Sequence, residues 1–259
     1  MTANTRKLST RLIRKGALIE ETYTAFREWD LSLTIRENIH EIRKGNLVGA
    51  KNDGWLHEIL TTFSSRFTKP KDLEPLVILA KGNMDIALWK ACLLWHVGNV
   101  DELYYRFAVE WLFNQYKDGA YLLRTEDALP FVRNVTDGRI ASGGNLSDYG
   151  ALRAARDLLR MAGDFGLLEG SAKKKFANFH IPQEAFVYVL QGLSGEGRNT
   201  SRIISAKSWR LFLMEPDDVE RELLRLHQYK ILEYQVAGSM AYLKLPCGSL
   251  PEYARKLVA

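Results

Sequence analysis

Cysteine is nearly absent from the 259-residue chain: Cys92 and Cys247 stand far apart in unlike surroundings. Two such residues cannot build a disulfide framework or a zinc site, which need more ligands at closer spacing. Cys92 lies inside an apolar helical run and reads as a core residue, so a reducing compartment is expected. Long hydrophobic runs are missing too. The most apolar stretch, Ile86 to Val97, contains Lys90 and is about half of the roughly 20 residues that cross a bilayer. The basic start lacks the apolar segment of a signal peptide, so the expectation is a cytoplasmic protein without membrane contact. No tract rich in proline, or in glycine and serine, marks disorder, which is expected only at the ends. His-Glu-x-x-His, Cys-x-x-Cys, Gly-x-Ser-x-Gly and a Walker lysine are all lacking. His40, His57 and His96 have no metal-ligand spacing and read as packed or surface residues. We therefore expect no enzyme, no metal, no cofactor and no small-molecule substrate.

What is abundant is apolar and basic. With 46% apolar residues, the chain can fill two packed cores, one domain over 1–140 and another over 141–259. Its formal charge is +5, which favours an anionic partner. The distribution matters more than the total. Arg6, Lys7, Arg11, Arg14 and Lys15 all precede the first acidic residue, Glu20. A second excess lies at 171–210, where Lys173, Lys174, Lys175, Arg198, Arg202, Lys207 and Arg210 face only Glu184 and Glu196. A solvated basic surface is the plain alternative for either patch.

Apolar residues recurring every three or four positions make the first half helical, at about 9–29, 32–44, 53–67, 71–81, 84–97, 100–116 and 125–136. Gly45-Asn46, Gly82-Asn83, Gly98-Asn99 and Asp118-Gly119 read as stops, and Asp53, Asn83 and Asn99 as N-caps. Trp29, Trp55, Trp89, Trp95 and Trp111 fall here and are expected to fill a helical-bundle core. Asp137 to Gly144 reads as a linker.

Beyond the linker the grammar changes. A helix at about 147–163 precedes a basic, strand-like stretch from Lys173 to His180. A short helix begins at Pro182, another lies near 201–208, and a third runs from Pro216 to about 228. Leu232–Val236 and Met240–Leu245 flank Ala237-Gly238-Ser239 as a β-hairpin would. Helix, helix, recognition helix and wing is the order of a winged helix-turn-helix, a module that places one helix in the major groove. The expected fold is thus mainly α, with two helical domains and winged-helix units with small β-hairpin wings in the second.

On the candidate recognition helix, Arg221, Arg225 and Gln228 share a face opposite Val219, Leu223 and Leu226, although Glu220 and Glu222 lie close. Arg153, Arg156 and Arg160 line one side of the 147–163 helix, where pairing with Asp157 and Asp164 is the structural alternative. Lys173, Lys174 and Lys175, with no acid nearby in sequence, sit at the tip of a candidate first wing and suit phosphate.

The chain resembles the BrxA family, the small helical component of BREX (bacteriophage exclusion) systems, over about residues 15–245. The resemblance is carried by Trp29 with Ile35-Arg36-Glu37-Asn38-Ile39, Asn46-Leu47, and Ile59-Leu60 with Phe63 and Arg66-Phe67. It continues through Leu88-Trp89, Ala91-Cys92-Leu93-Leu94-Trp95 and Phe107-Ala108-Val109-Glu110. Leu146-Ser147-Asp148 leads to Leu158-Leu159, Ala162-Gly163 and Gly166-Leu167-Leu168. It implies phage restriction alongside a methyltransferase, an ATPase and a phosphatase-like protein of the same cluster. It also implies a two-part helical fold, with likeness to a helical antitermination factor, and double-stranded DNA binding without catalysis. It assigns no contact residues; those named above come from charge and periodicity. The rival readings are a protein adaptor that assembles the defence complex and a transcription regulator of the defence cluster. RNA binding is unmarked, because no stacking platform or RNA motif stands out.

Overall fold

The structure, a computed structural model, describes residues 8–140, 143–238 and 240–259. It is mainly helical. Helices α1 (Ile19–Arg27), α2 (Ile35–Gly45), α3 (Asp53–Arg66), α4 (Pro70–Lys81) and α5 (Ile86–Val100) follow in order. Thr34 and Glu37 cap α2 reciprocally, and Asn46 closes it in the left-handed conformation. Next come α6 (Glu102–Arg106), a π-helical turn (Phe107–Leu112) and α7 (Phe113–Lys117), then α8 (Thr125–Thr136) and α9 (Asp148–Asp164). A hairpin of β1 (Leu168–Glu169) and β2 (Lys175–Phe176) precedes α10 (Gln183–Gly195), α11 (Thr200–Ile204) and a 3-10 turn (Lys207–Phe212). The chain ends with α12 (Pro216–Gln228), the antiparallel pair β3 (Glu233–Ala237) and β4 (Met240–Lys244), and α13 (Leu250–Val258).

Several sequence expectations are corrected. Residues 9–18 are not helical, because Gly16 and Leu18 take positive φ; their apolar residues meet the core along an irregular path. Gly98 does not stop α5. It lies inside the helix, where a side chain would collide with Leu211. The caps are Asn52, Asp85 and Asp101 rather than Asp53, Asn83 and Asn99. Of the stretch from Lys173 to His180, only Lys175 and Phe176 are strand.

α5 is buried almost all round, as its unbroken apolar sequence requires. Trp29, Trp89 and Trp95 are buried, whereas Trp55 and Trp111 are partly exposed. Packing runs across the 140/141 position: α5 meets α10, α4 meets α13, and α8 meets α9. One continuous apolar cluster results.

Candidate nucleic-acid interface

Ser147 caps α9 by accepting the Gly150 N–H, and Ala151, Ala154, Ala155, Leu158, Leu159 and Ala162 bury one side of the helix. Helical spacing leaves Arg153, Arg156 and Arg160 on the exposed side. Beneath them lies buried Asp157, 3.1 Å from Arg160 Nη2 and 3.8 Å from Arg153 Nε. Arg160 also donates to the Arg14 carbonyl at 2.6 Å, and Asp164 accepts the Ala17 N–H at 3.0 Å. The segment before α1 is thereby docked on α9, and Arg14 joins the cluster. Burial pushes the Asp157 carboxyl up, against the pull of Arg160, Arg153, Arg156 and Arg14. The Asp164 carboxylate borders Gly16 together with the Arg160 guanidinium, so four guanidinium groups stand over two carboxylates and two positive charges are in excess when both are ionised.

The patch extends along the helix. Lys174 Nζ sits against Gly163, which lies seven residues beyond Arg156 on the same stripe, about 10 Å along the axis. The Lys174 main chain exchanges hydrogen bonds with Leu123 at 2.7 and 2.9 Å, which pins the β1–β2 connection. Lys173 is exposed beside it. The expectation of three lysines without an acid is corrected at Lys175, which pairs with Glu169 across the strands at 2.8 Å.

The other sequence-selected cations are arranged differently. On α12, Arg221 pairs with Asp218 at 3.0 Å, while Arg225 binds Glu222 and lies over the Tyr229 ring. Val219, Leu223 and Leu226 face inward toward the core. Arg198 pairs with Glu196 at 2.6 Å, and Arg210 is half-buried over the Phe113 ring. Arg202 and Lys207 are exposed and form no ion pair among the described residues. In the N-terminal set, Arg11 is exposed and Lys15 pairs with Glu58 at 3.5 Å; Arg6 and Lys7 lie outside the described residues. The structure thus joins Arg14 to the α9 arginines and Lys174, and holds the α12 arginines in local pairs. The pairing of Arg153 and Arg160 with Asp157 follows the alternative that helical spacing offers, whereas sequence reasoning missed that Arg14 meets them, because that contact spans 146 residues.

Among the described residues, no helix is long and apolar enough to cross a membrane, and no group of His, Cys, Asp and Glu could hold a metal. The BrxA family model matches residues 6–191. No curated protein matches the chain, and neither does any solved structure.

Proposed function

Because the chain belongs to the BrxA family, which ties it to BREX phage exclusion, we propose that it is a non-catalytic, double-stranded-DNA-binding component of such a system. The observation that carries this reading is the guanidinium cluster at α9, where Arg14, Arg153, Arg156 and Arg160 outnumber the carboxylates of Asp157 and Asp164. Guanidinium groups suit phosphate oxygens, and a stripe continued by Lys174 and Lys173 follows an anionic backbone rather than base edges. Binding is therefore largely independent of sequence. α10, α11, α12 and the β3–β4 hairpin act as a winged helix-turn-helix. Lys207 and Arg202 are its unpaired cations, and Arg221 and Arg225 are secondary contacts. The protein works in the cytoplasm with the other proteins of its cluster.

A mobility-shift titration with random duplex at two salt concentrations tests this. Affinity should fall steeply with salt as condensed counterions are released. No shift at low salt by folded protein removes the reading.

One observation favours a second role as an adaptor. The hairpin exposes Val236, Met240 and Tyr242, with Leu224 and Tyr229 exposed on and after α12. Apolar exposure of this kind suits a protein partner better than phosphate. Pull-down of cluster-encoded proteins that is lost with Met240→Asp, while DNA affinity holds, would separate the two roles.

A further inference from the structure

The exposed line of α9 begins one turn before its first arginine. Tyr149, Arg153, Arg156 and Arg160 follow one another at intervals of four, three and four residues, so they share one face of the helix. Gly163, under the Lys174 ammonium, continues this line, which runs for about 21 Å from Tyr149. Tyr149 is 73% exposed and makes no hydrogen bond or ring contact among the described residues. A lone exposed tyrosine is ordinary, but this one heads a row of cations.

Arginines elsewhere in the molecule cover aromatic faces: Arg210 lies over Phe113, and Arg225 over Tyr229. Arg153, one turn from Tyr149, is instead drawn toward Asp157 on the next turn, 3.8 Å away, and leaves the Tyr149 ring bare. A second bare ring stands toward the other end. Tyr121 is 85% exposed and precedes by two residues Leu123, whose main chain exchanges hydrogen bonds with Lys174. The row of Arg153, Arg156, Arg160 and Lys174 thus has an uncovered aromatic side chain near each end. Closed duplex has nothing to place on such rings, because its base faces are stacked on one another and it offers only phosphates and groove edges. An unpaired strand offers phosphates to the cations and base faces to the rings; a charged track with aromatic platforms is the arrangement that binds it.

We propose that the α9 row binds single-stranded DNA, with bases stacked on Tyr149 and Tyr121, and that the protein prefers duplex that opens into a single strand over closed duplex. The inference rests on the reading that this row contacts DNA phosphates, and names the form of DNA it takes. Stacking on tyrosine is indifferent to base identity, so the preference is for strandedness and not for sequence.

Fluorescence anisotropy of the full chain tests it with three probes: a blunt random duplex, the same duplex carrying a single-stranded oligothymidine tail, and a longer blunt duplex with as many phosphates as the tailed one. The tailed probe should bind about tenfold tighter than either blunt one, the gain from one stacked base. Tyr149→Ala combined with Tyr121→Ala should erase that advantage. Tyr149→Phe with Tyr121→Phe should keep it, because the ring and not the hydroxyl stacks. Both positions are exposed, so these exchanges leave the core untouched. Equal binding of tailed and blunt probes overturns this inference and leaves phosphate contact standing, whereas binding to none of the three overturns both. A preference that survives the alanine pair, or is lost in the phenylalanine pair, also overturns it.

Discussion

Arg66 on α3 and Asp164 on α9 hold the same stretch of chain. Arg66 takes the carbonyls of Leu12, Gly16 and Ala17, and Asp164 takes the N–H of Ala17. Burial lowers the Arg66 guanidinium to about 10, against the pull of the Asp101 and Asp164 carboxylates, so it stays charged at neutral pH. The left-handed turn at Gly16 and Leu18 lets the segment reach both partners.

Replacing this anchor should be severe. Arg66→Met leaves three carbonyls short of their donor and should lower stability by about 3 kcal/mol in urea unfolding. Freed from α3, the segment should carry Arg14 away from α9 and weaken DNA binding as well. An unchanged unfolding midpoint would contradict the anchoring role.

α5 and α10 approach closely at Gly192. Gly192→Ala drives a methyl group into the Trp95 ring and should cost about 1–3 kcal/mol in thermal unfolding. Gly195→Ala, on the same helix with open space around it, should stay within about 0.5 kcal/mol of the parent.

Salt dependence separates the two arginine sets. Arg153→Ala combined with Arg156→Ala should reduce the slope of log affinity against log salt by about 2, as two phosphate contacts are lost. Arg221→Ala with Arg225→Ala should reduce it by less, because Asp218 and Glu222 already balance those charges. Fluorescence anisotropy on a random duplex reads both. A larger effect from the second pair would move the interface to α12.

His96 and Asp101 oppose one another as pH changes. Burial holds the His96 imidazole neutral, down to about 3, with Tyr188 Oη at 2.7 Å from Nε2. The unfolded chain therefore takes up a proton below about pH 6.5 that the folded chain refuses, and stability falls as pH drops. Burial pushes the Asp101 carboxyl up to about 6, so there the folded chain gains the proton first and acid stabilises. The larger displacement at His96 sets the net trend. Urea midpoints between about pH 4 and pH 7 should show acid loss in the parent, a limb that reverses toward acid stabilisation in His96→Gln and a steeper loss in Asp101→Asn. Three parallel profiles would refute the assignment.

Much of this architecture is legible where one local signal dominates. The range 125–136 and the start at Pro216 follow from periodicity and an acidic first turn, and coincide with α8 and α12. Where tertiary contact overrides local preference, legibility fails. Leu8, Leu12 and Ile13 imitate a helical stripe while serving an irregular strap. Gly98 imitates a stop while making room for Leu211. α13 carries a readable start, Ser249 bonded to the Glu252 N–H with Pro251 in its first turn, yet its packing against α4 has no local signature. At the candidate interface, the α9 arginines are readable from spacing. Their pairing with Asp157 is local to the helix and equally readable, whereas the arrival of Arg14 depends on a fold-level contact that charge counting cannot show.

The meeting of α4 with α13 also bears on how the chain is made. α4 is complete at Lys81, but the helix that covers it begins at Leu250. At bacterial elongation speeds the ribosome needs roughly ten to thirty seconds to supply the intervening residues, during which an apolar flank of the nascent protein stays wet. Chaperone demand during synthesis should therefore fall on this early helix, and a transcript truncated before residue 250 should yield an aggregating product.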